Sequence, residues 1–213
     1  MHSDHTTDYN DIITTRWISN VEPRPLLAFG PVGFKRFTDA TLAMLDTDVH
    51  YRMSHHADLK HAPQVEVQEI AEGLVYDSGG VRVIAAATDH SPVHPTMGFR
   101  IEAEGKVVVI AGDTVPCPGL TRLCEGADVY VQTVIRRSLV EKTPMQRFRD
   151  VLDYHSDIGQ AAQTAAAAGV RVLVLNHPVP APQPGTEPQW IAEAAAHFSG
   201  EVLLATDLLK VQA

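Results

Sequence analysis

The sequence predicts an α/β fold in which a mixed sheet is covered by helices. Three observations predict it. Strand-like runs separated by hairpin turns crowd residues 65–111. After Asp113 the pattern changes to strand–helix–strand. Glycine and proline fall between these segments rather than inside them. At 213 residues the chain can bury a full core, and residues 1–213 are expected to form a single domain.

Each element has its own signal. Residues 1–20 begin polar and turn apolar at Ile12, Ile13, Trp17 and Ile18, as a short loop entering a helix does. Residues 26–29 are a short apolar run ended by Gly30-Pro31, a buried strand and a turn. Over residues 33–45, Phe34, Phe37, Leu42 and Leu45 suit one helical face. Residues 46–63, which hold His50, His55, His56 and His61, are expected to form an irregular, solvated loop. Val65, Val67 and Glu69 then alternate with polar neighbours. Residues 81–87, 97–103 and 106–111 read as strands, with Gly79-Gly80 and Glu104-Gly105 as hairpin turns. Residues 128–132 make a short strand. Residues 156–168 make an alanine-rich helix with Ser156 as N-cap and Gly169 at its end. A buried strand at 171–175, a helix at 189–198 and a last strand at 201–204 complete the chain.

Composition narrows the function. The 17 basic and 26 acidic residues give a formal charge of −9. Proteins that hold polyanions by counterion release usually carry the opposite sign. Extended nucleic-acid binding is therefore disfavoured, which leaves room only for a local basic patch. Cys117 and Cys124 cannot build a disulfide framework and suit a reducing compartment. No apolar run approaches the roughly 18–20 residues of a membrane span. The start, Met1-His2-Ser3-Asp4-His5, has no signal-peptide pattern, so a cytoplasmic location with no membrane partner is expected. Histidine is unusually frequent: 11 residues against 6 Phe and 2 Trp. Histidine is the commonest metal ligand, so the excess matters if some of them converge.

Four short motifs carry that chemistry. His2-Ser3-Asp4-His5 packs two imidazoles and a carboxylate into four residues, although a solvated terminus would look the same. Thr88-Asp89-His90-Ser91-Pro92 places a histidine where a buried strand breaks at the sheet rim, and His94 stands close enough to compete with His90. Ala111-Gly112-Asp113-Thr114 ends another apolar strand in a carboxylate, which could equally be a turn residue. Residues 173–178, Leu-Val-Leu-Asn-His-Pro, end a third strand in His177. Together these give an N/O donor set without thiolate, suited to zinc or a related divalent ion.

The order His-x-Asp-His, Asp-His-x-Pro, Gly-Asp-Thr and a strand-ending histidine resembles the metallo-β-lactamase fold. Residues 2–8, Gly30-Pro31, Gly98-Phe99-Arg100 and Tyr154-His155-Ser156 are similar to its ribonuclease Z and arylsulfatase-like branch. The resemblance runs from residue 1 to about residue 210. It implies a four-layer αββα sandwich lacking its first strands. The family's first motif is His-x-His-x-Asp-His, and Met1 stands at its first x, so the first histidine would precede the chain. The resemblance thus predicts a start at an internal Met of a longer protein. An in-frame histidine codon directly upstream would support this, and an in-frame stop would refute it.

The resemblance also implies a binuclear zinc hydrolase, with manganese or iron as alternative metals. Asp4, His5 and His177 would hold one ion, and His2 and His90 the other, with Asp113 between them. Asp4 and His155 would be catalytic, His155 also contacting the substrate. Two departures bear on the substrate. Gln132-Thr133 stands where the ribonucleases often carry His-Glu, and no long basic insertion suited to gripping tRNA is evident. The expected substrate is therefore a small phosphodiester, sulfate ester or similar ester. The alternatives are a tRNA 3′-processing endoribonuclease, with tRNA disfavoured, and a truncated, non-catalytic metal-binding chain. A homodimer is expected because family members often dimerise.

Overall fold

The computed structural model describes residues 2–20 and 22–213; Met1, on which the predicted internal start turns, lies outside them. The chain divides into two compact units, residues 1–71 and 72–213.

The first unit holds a 3-10 turn at Ser3–His5, helix α1 (Tyr9–Ser19), strand β1 (Leu26–Gly30), helix α2 (Phe34–His55) and strand β2 (Val65–Glu69). β1 and β2 pair in parallel from Leu26↔Val65 to Gly30↔Glu69, as a crossover through α2 allows. Glu69 closes the joint between strand and helix: its carboxylate accepts from the backbone N–H groups of Gly33 and Lys35 at the start of α2. Tyr9 packs on Phe34 and Phe37 and shares a 3.0 Å hydrogen bond with Thr38, which fixes α1 against α2.

α2 corrects the sequence expectation. It does not stop at Leu45 but runs to His55, so residues 46–55 are helix rather than irregular loop. No glycine or proline intervenes, and the i,i+4 pairs Lys35–Asp39 and Asp48–Arg52 support the exposed face. His50, His55, His56 and His61 are all exposed.

The second unit is built on one seven-stranded sheet in sequence order: β3 (Gly73–Ser78), β4 (Val81–Ala87), β5 (Met97–Ala103), β6 (Lys106–Ile110), β7 (Val129–Ile135), β8 (Val172–Val179) and β9 (Glu201–Leu204). β3 to β6 are antiparallel, and β6 to β9 are parallel. The hairpin turns fall at Gly79-Gly80 and Glu104-Gly105, all four residues having positive φ. β3 went unpredicted because a bulge between Leu74 and Tyr76 breaks its alternation.

Helices α3 (Pro118–Cys124), α6 (Ile158–Ala167) and α7 (Glu187–Ala195) contribute to one core with the sheet. Val109, Tyr130, Leu173 and Leu175 face that core, while Val129, Val172 and Val174 face a second cluster closed by Val211 and Ala213. Burial on both sides explains why the parallel strands read as continuous apolar runs. The short helices α4 (Arg137–Val140) and α5 (Gln146–Arg149) lie between β7 and α6.

One cap differs from expectation. Asp157, not Ser156, caps α6: its side chain accepts from Gln160 N at 2.8 Å while Gln160 Oε1 accepts from Asp157 N, a capping box. Ser156 is diverted elsewhere, with consequences for the site. Among the described residues no helix is long and apolar enough to cross a membrane.

Candidate metal centre

The site of the second unit forms where β4, β6 and β7 end. Their loops are stitched through two residues that the sequence did not single out for this role. Thr114 Oγ1 accepts from the N–H of Asp89 at 3.0 Å, and Val115 N donates to Asp89 O at 2.9 Å. Both the hydroxyl and the N–H of Ser156 donate to the Thr114 carbonyl, at 2.8 and 2.9 Å. Ile135 N then donates to Ser156 O at 3.0 Å. Thr114 and Ser156 are buried, so these bonds are fully desolvated and costly to lose. Helix α3 approaches the end of β4 so closely that a Cβ on Gly119 would lie 1.8 Å from the Ala87 carbonyl oxygen. Only glycine permits that packing.

This stitching brings His90, Asp113 and His155 together. Their side chains are 3, 8 and 9% exposed. Asp113 Oδ2 lies 3.9 Å from His90 Nε2 and 3.4 Å from His155 Nε2. The imidazoles meet edge-on, 4.8 Å between centroids. His90 Nδ1 sits 2.8 Å from the Tyr154 carbonyl oxygen, and His155 Nδ1 sits 2.9 Å from that of Val151. A carbonyl only accepts, so each Nδ1 carries the hydrogen and each Nε2 turns its lone pair toward the carboxylate. Two imidazole lone pairs and a carboxylate oxygen gathered in a buried space need a proton or a cation among them. The carbonyl-anchored histidine is also the usual support for a metal ligand. The donor set therefore fits a divalent cation, with hard and borderline N/O ligands and no thiolate.

Burial, with the carboxylates of Asp150, Asp153 and Asp113, pushes the Tyr154 phenol up. Beneath the Asp113 loop, Gln132 is fully buried, accepts a hydrogen bond from the Tyr130 hydroxyl and donates to the carbonyls of Gly112 and Thr133. The position at which the sequence departs from His-Glu is thus a brace for the turn that carries Asp113.

The other predicted residues are placed as follows. His94 is exposed and 3.2 Å from the Ser91 hydroxyl, whereas His90 is buried beside Asp113. His177 ends the hydrophobic part of β8, exposed, with φ of 44°. That conformation is rare for a residue with a side chain and re-aims it out of the strand alternation. In the first unit His2, Asp4 and His5 are exposed on the 3-10 turn, Asp4 Oδ2 being 3.4 Å from His5 Nε2. Thr7 steadies the turn by donating to Ser3 O at 2.7 Å. His155 does not begin α6 but precedes its cap by two residues, so it is placed by Val151 rather than by a helix terminus. His197 is exposed beyond the end of α7. Cys124 is buried and its thiol is pushed up to about 12 by desolvation, as suits a structural residue.

A family model described as the beta-lactamase superfamily domain matches residues 1–177. Ribonuclease Z of Mycolicibacterium gilvum is 49% identical over the whole of this chain and 75% of its own length. A putative ribonuclease Z of Mycobacterium tuberculosis (strain CDC 1551 / Oshkosh) is 48% identical over the whole chain and 96% of its own length. Among solved structures, the metallo-beta-lactamase fold protein YhfI of Bacillus subtilis aligns with a TM-score of 0.66 at 19% identity, covering 97% of this chain and 71% of that one. The short form of human tRNase Z aligns with a TM-score of 0.62 at 19% identity, covering 98% and 74%. The solved structures show the shared fold; the curated relatives and the family model show the lineage. The chain belongs to the metallo-β-lactamase superfamily, on its ribonuclease Z branch, and is a metal-dependent hydrolase of that superfamily.

Proposed function

We propose that the chain hydrolyses phosphodiester bonds in RNA, as an endoribonuclease that trims the 3′ end of precursor tRNA. The observation that carries this is the buried His90–Asp113–His155 group, found in a chain 48% identical to a ribonuclease Z over its whole length. The relatives' names favour RNA over the small ester or sulfate ester that charge and the missing His-Glu pair suggest.

His90 and Asp113 would be metal ligands, and His2, Asp4, His5 and His177 complete the proposed set for two ions, zinc being the first candidate. Bound divalent metal supplies Lewis acidity and lowers the pKa of water toward neutrality. The remaining work falls to the chain. The Tyr154 carbonyl holds His90 in the tautomer whose Nε2 is a ligand. The Val151 carbonyl likewise fixes His155, leaving Nε2 beside Asp113; only when Nε2 also carries a proton can it donate to a phosphoryl oxygen and pass that proton to the departing oxygen. Asp4, on its exposed turn, is the proposed partner for the proton of the attacking water. No Gly-x-Ser-x-Gly element offers a protein nucleophile, which agrees with direct attack by water.

The test is cleavage of a precursor tRNA with a 3′ trailer by the zinc-loaded protein, beside aryl phosphodiester, aryl sulfate and lactone substrates. Endonucleolytic removal of the trailer is expected. Turnover of a small ester with the precursor left intact would return the substrate to the small-ester class.

A further inference from the structure

Residues 136–149, between β7 and His155, have no part in the chemistry above, yet their charge is out of keeping with the chain. The protein carries −9 overall, while this stretch holds Arg136, Arg137, Lys142, Arg147 and Arg149 against Glu141 alone. Arg136 is committed to Glu193 and Gln189, and Arg137 to Asp157 and Glu141. The other three differ. Elsewhere in this unit Arg82, Arg100, Lys106, Arg122 and Arg171 each lie within ion-pair reach of a carboxylate. Among the described residues, Lys142, Arg147 and Arg149 have none; Lys210 near the end of the chain has none either, but here three such cations fall within eight residues, although acidic residues outnumber basic ones in the chain.

Arg149 braces the segment by donating to the Thr143 carbonyl at 2.6 Å and to Gln146 Oε1. Lys142 and Arg147 are exposed. The Arg147 guanidinium stands 5.5 Å from the ring centroid of Phe148, which is itself 43% exposed. An exposed aromatic between solvated cations is how proteins hold single-stranded nucleic acid, with cations on the phosphates and the ring stacked on a base.

Both ends of the segment are tied to the site. Ile135 N, directly before the segment, donates to the carbonyl of Ser156, the residue after His155, at 3.0 Å, and at the far end Val151, two residues beyond Arg149, supplies the carbonyl that orients His155. The basic stretch therefore begins and ends on the backbone that carries the reactive imidazole.

We infer that residues 136–149 grip the single-stranded RNA flanking the phosphodiester presented to His155, with Lys142 and Arg147 taking phosphates and Phe148 stacking on a base. This rests on the ribonuclease reading. It also gives an acidic protein a local means of holding a polyanion without a long basic insertion.

The test compares wild type, K142Q/R147Q, the charge-keeping K142R/R147K and F148A, all zinc-loaded. Two substrates are used: precursor tRNA with a single-stranded 3′ trailer, and bis(4-nitrophenyl) phosphate, which is too small to span the segment. Affinity for a fluorescent, cleavage-resistant phosphorothioate oligonucleotide is followed against salt. K142Q/R147Q is expected to raise KM for the RNA about tenfold with kcat nearly unchanged, and to flatten the log–log salt slope by about 1.4 for two lost phosphate contacts. F148A is expected to raise KM about fivefold, with the salt slope unchanged. K142R/R147K is expected to behave as wild type, and every variant to keep the wild-type rate on the small diester. Wild-type KM and salt slope in K142Q/R147Q would overturn the inference while leaving the ribonuclease reading intact. Equal losses on both substrates would overturn it as well. A wild-type protein that turns over the small diester but neither binds nor cuts RNA would sink both.

Discussion

The two histidine–carboxylate groups of the molecule are made of the same residue types in opposite surroundings. On the Ser3–His5 turn, the Asp4 and His5 side chains are 61 and 36% exposed, and their 3.4 Å contact is solvated. At the strand ends of the second unit, His90, Asp113 and His155 are almost wholly withdrawn from water. A charge pair at about 4 Å is worth about 1 kcal/mol in water and about 4 kcal/mol at the effective dielectric of a protein near its surface. The exposed contact between Asp4 and His5 gains little by itself. The buried group is organised beforehand, because carbonyls of Tyr154 and Val151 set both rings. The contrast teaches that the same residue types can be fixed by burial and backbone carbonyls in one place and stand in solvent in the other; in the proposed metal site the first would anchor and the second would adapt.

The sharpest way to break this contrast is at the buried carboxylate. Asp113→Ala is expected to lower kcat for RNA cleavage by on the order of 10³ or more, with the fold retained by circular dichroism. A loss below tenfold would remove the buried group from the chemistry. His155→Gln is expected to lower kcat by about 10²-fold, within the usual range for a positioned acid or base, with KM changed only a few-fold. A pure KM effect would reduce His155 to a binding contact.

The contrast also predicts different stability costs. His90→Ala leaves the half-buried Tyr154 carbonyl without this donor and opens a space at a buried side chain, and is expected to cost about 1–3 kcal/mol in urea unfolding of the metal-free protein. Asp4→Asn and His5→Ala, on the exposed turn, are expected to stay within about 0.5 kcal/mol of wild type while still lowering activity. Equal stability losses in both places would mean that the turn is as preorganised as the strand ends.

The last expected effect shows only at alkaline pH. Burial pushes the Cys124 thiol up to about 12. The unfolded chain releases that proton near its ordinary value of about 8.5, and the folded chain holds it. Stability is therefore full below that pH and falls as pH rises toward 12, by at most about 1.4 kcal/mol per pH unit. Cys124→Ala should flatten this limb in urea titrations between pH 8 and 10.

Much of this was legible in the chain. The bounds of the strands at 81–87 and 97–103 are legible to the residue because paired turn residues delimit them, and 201–204 because a short apolar run follows Gly200. The cluster residues were legible as strand-ending His90 and Asp113. Thr114 and Ser156 were not seen as the stitches between loops, because a buried Thr or Ser carries no periodic signal and its partners are 42 residues apart. The extension of α2 through His55 was missed because a histidine-rich stretch reads as polar irregular chain, while its i,i+4 ion pairs act only once the helix exists. The basic segment at 136–149 was hidden by the net charge of −9: a sum over the whole chain says nothing of which cations keep a carboxylate partner.

The most direct measurement is precursor cleavage before chelation, after exhaustive chelation and after return of zinc, for wild type and Asp113→Ala. The account predicts that wild type loses activity on chelation and regains it with metal, while the variant stays inactive throughout and binds less zinc per chain. Undiminished wild-type cleavage in excess chelator, or a variant that matches wild type in both zinc content and rate, would contradict it.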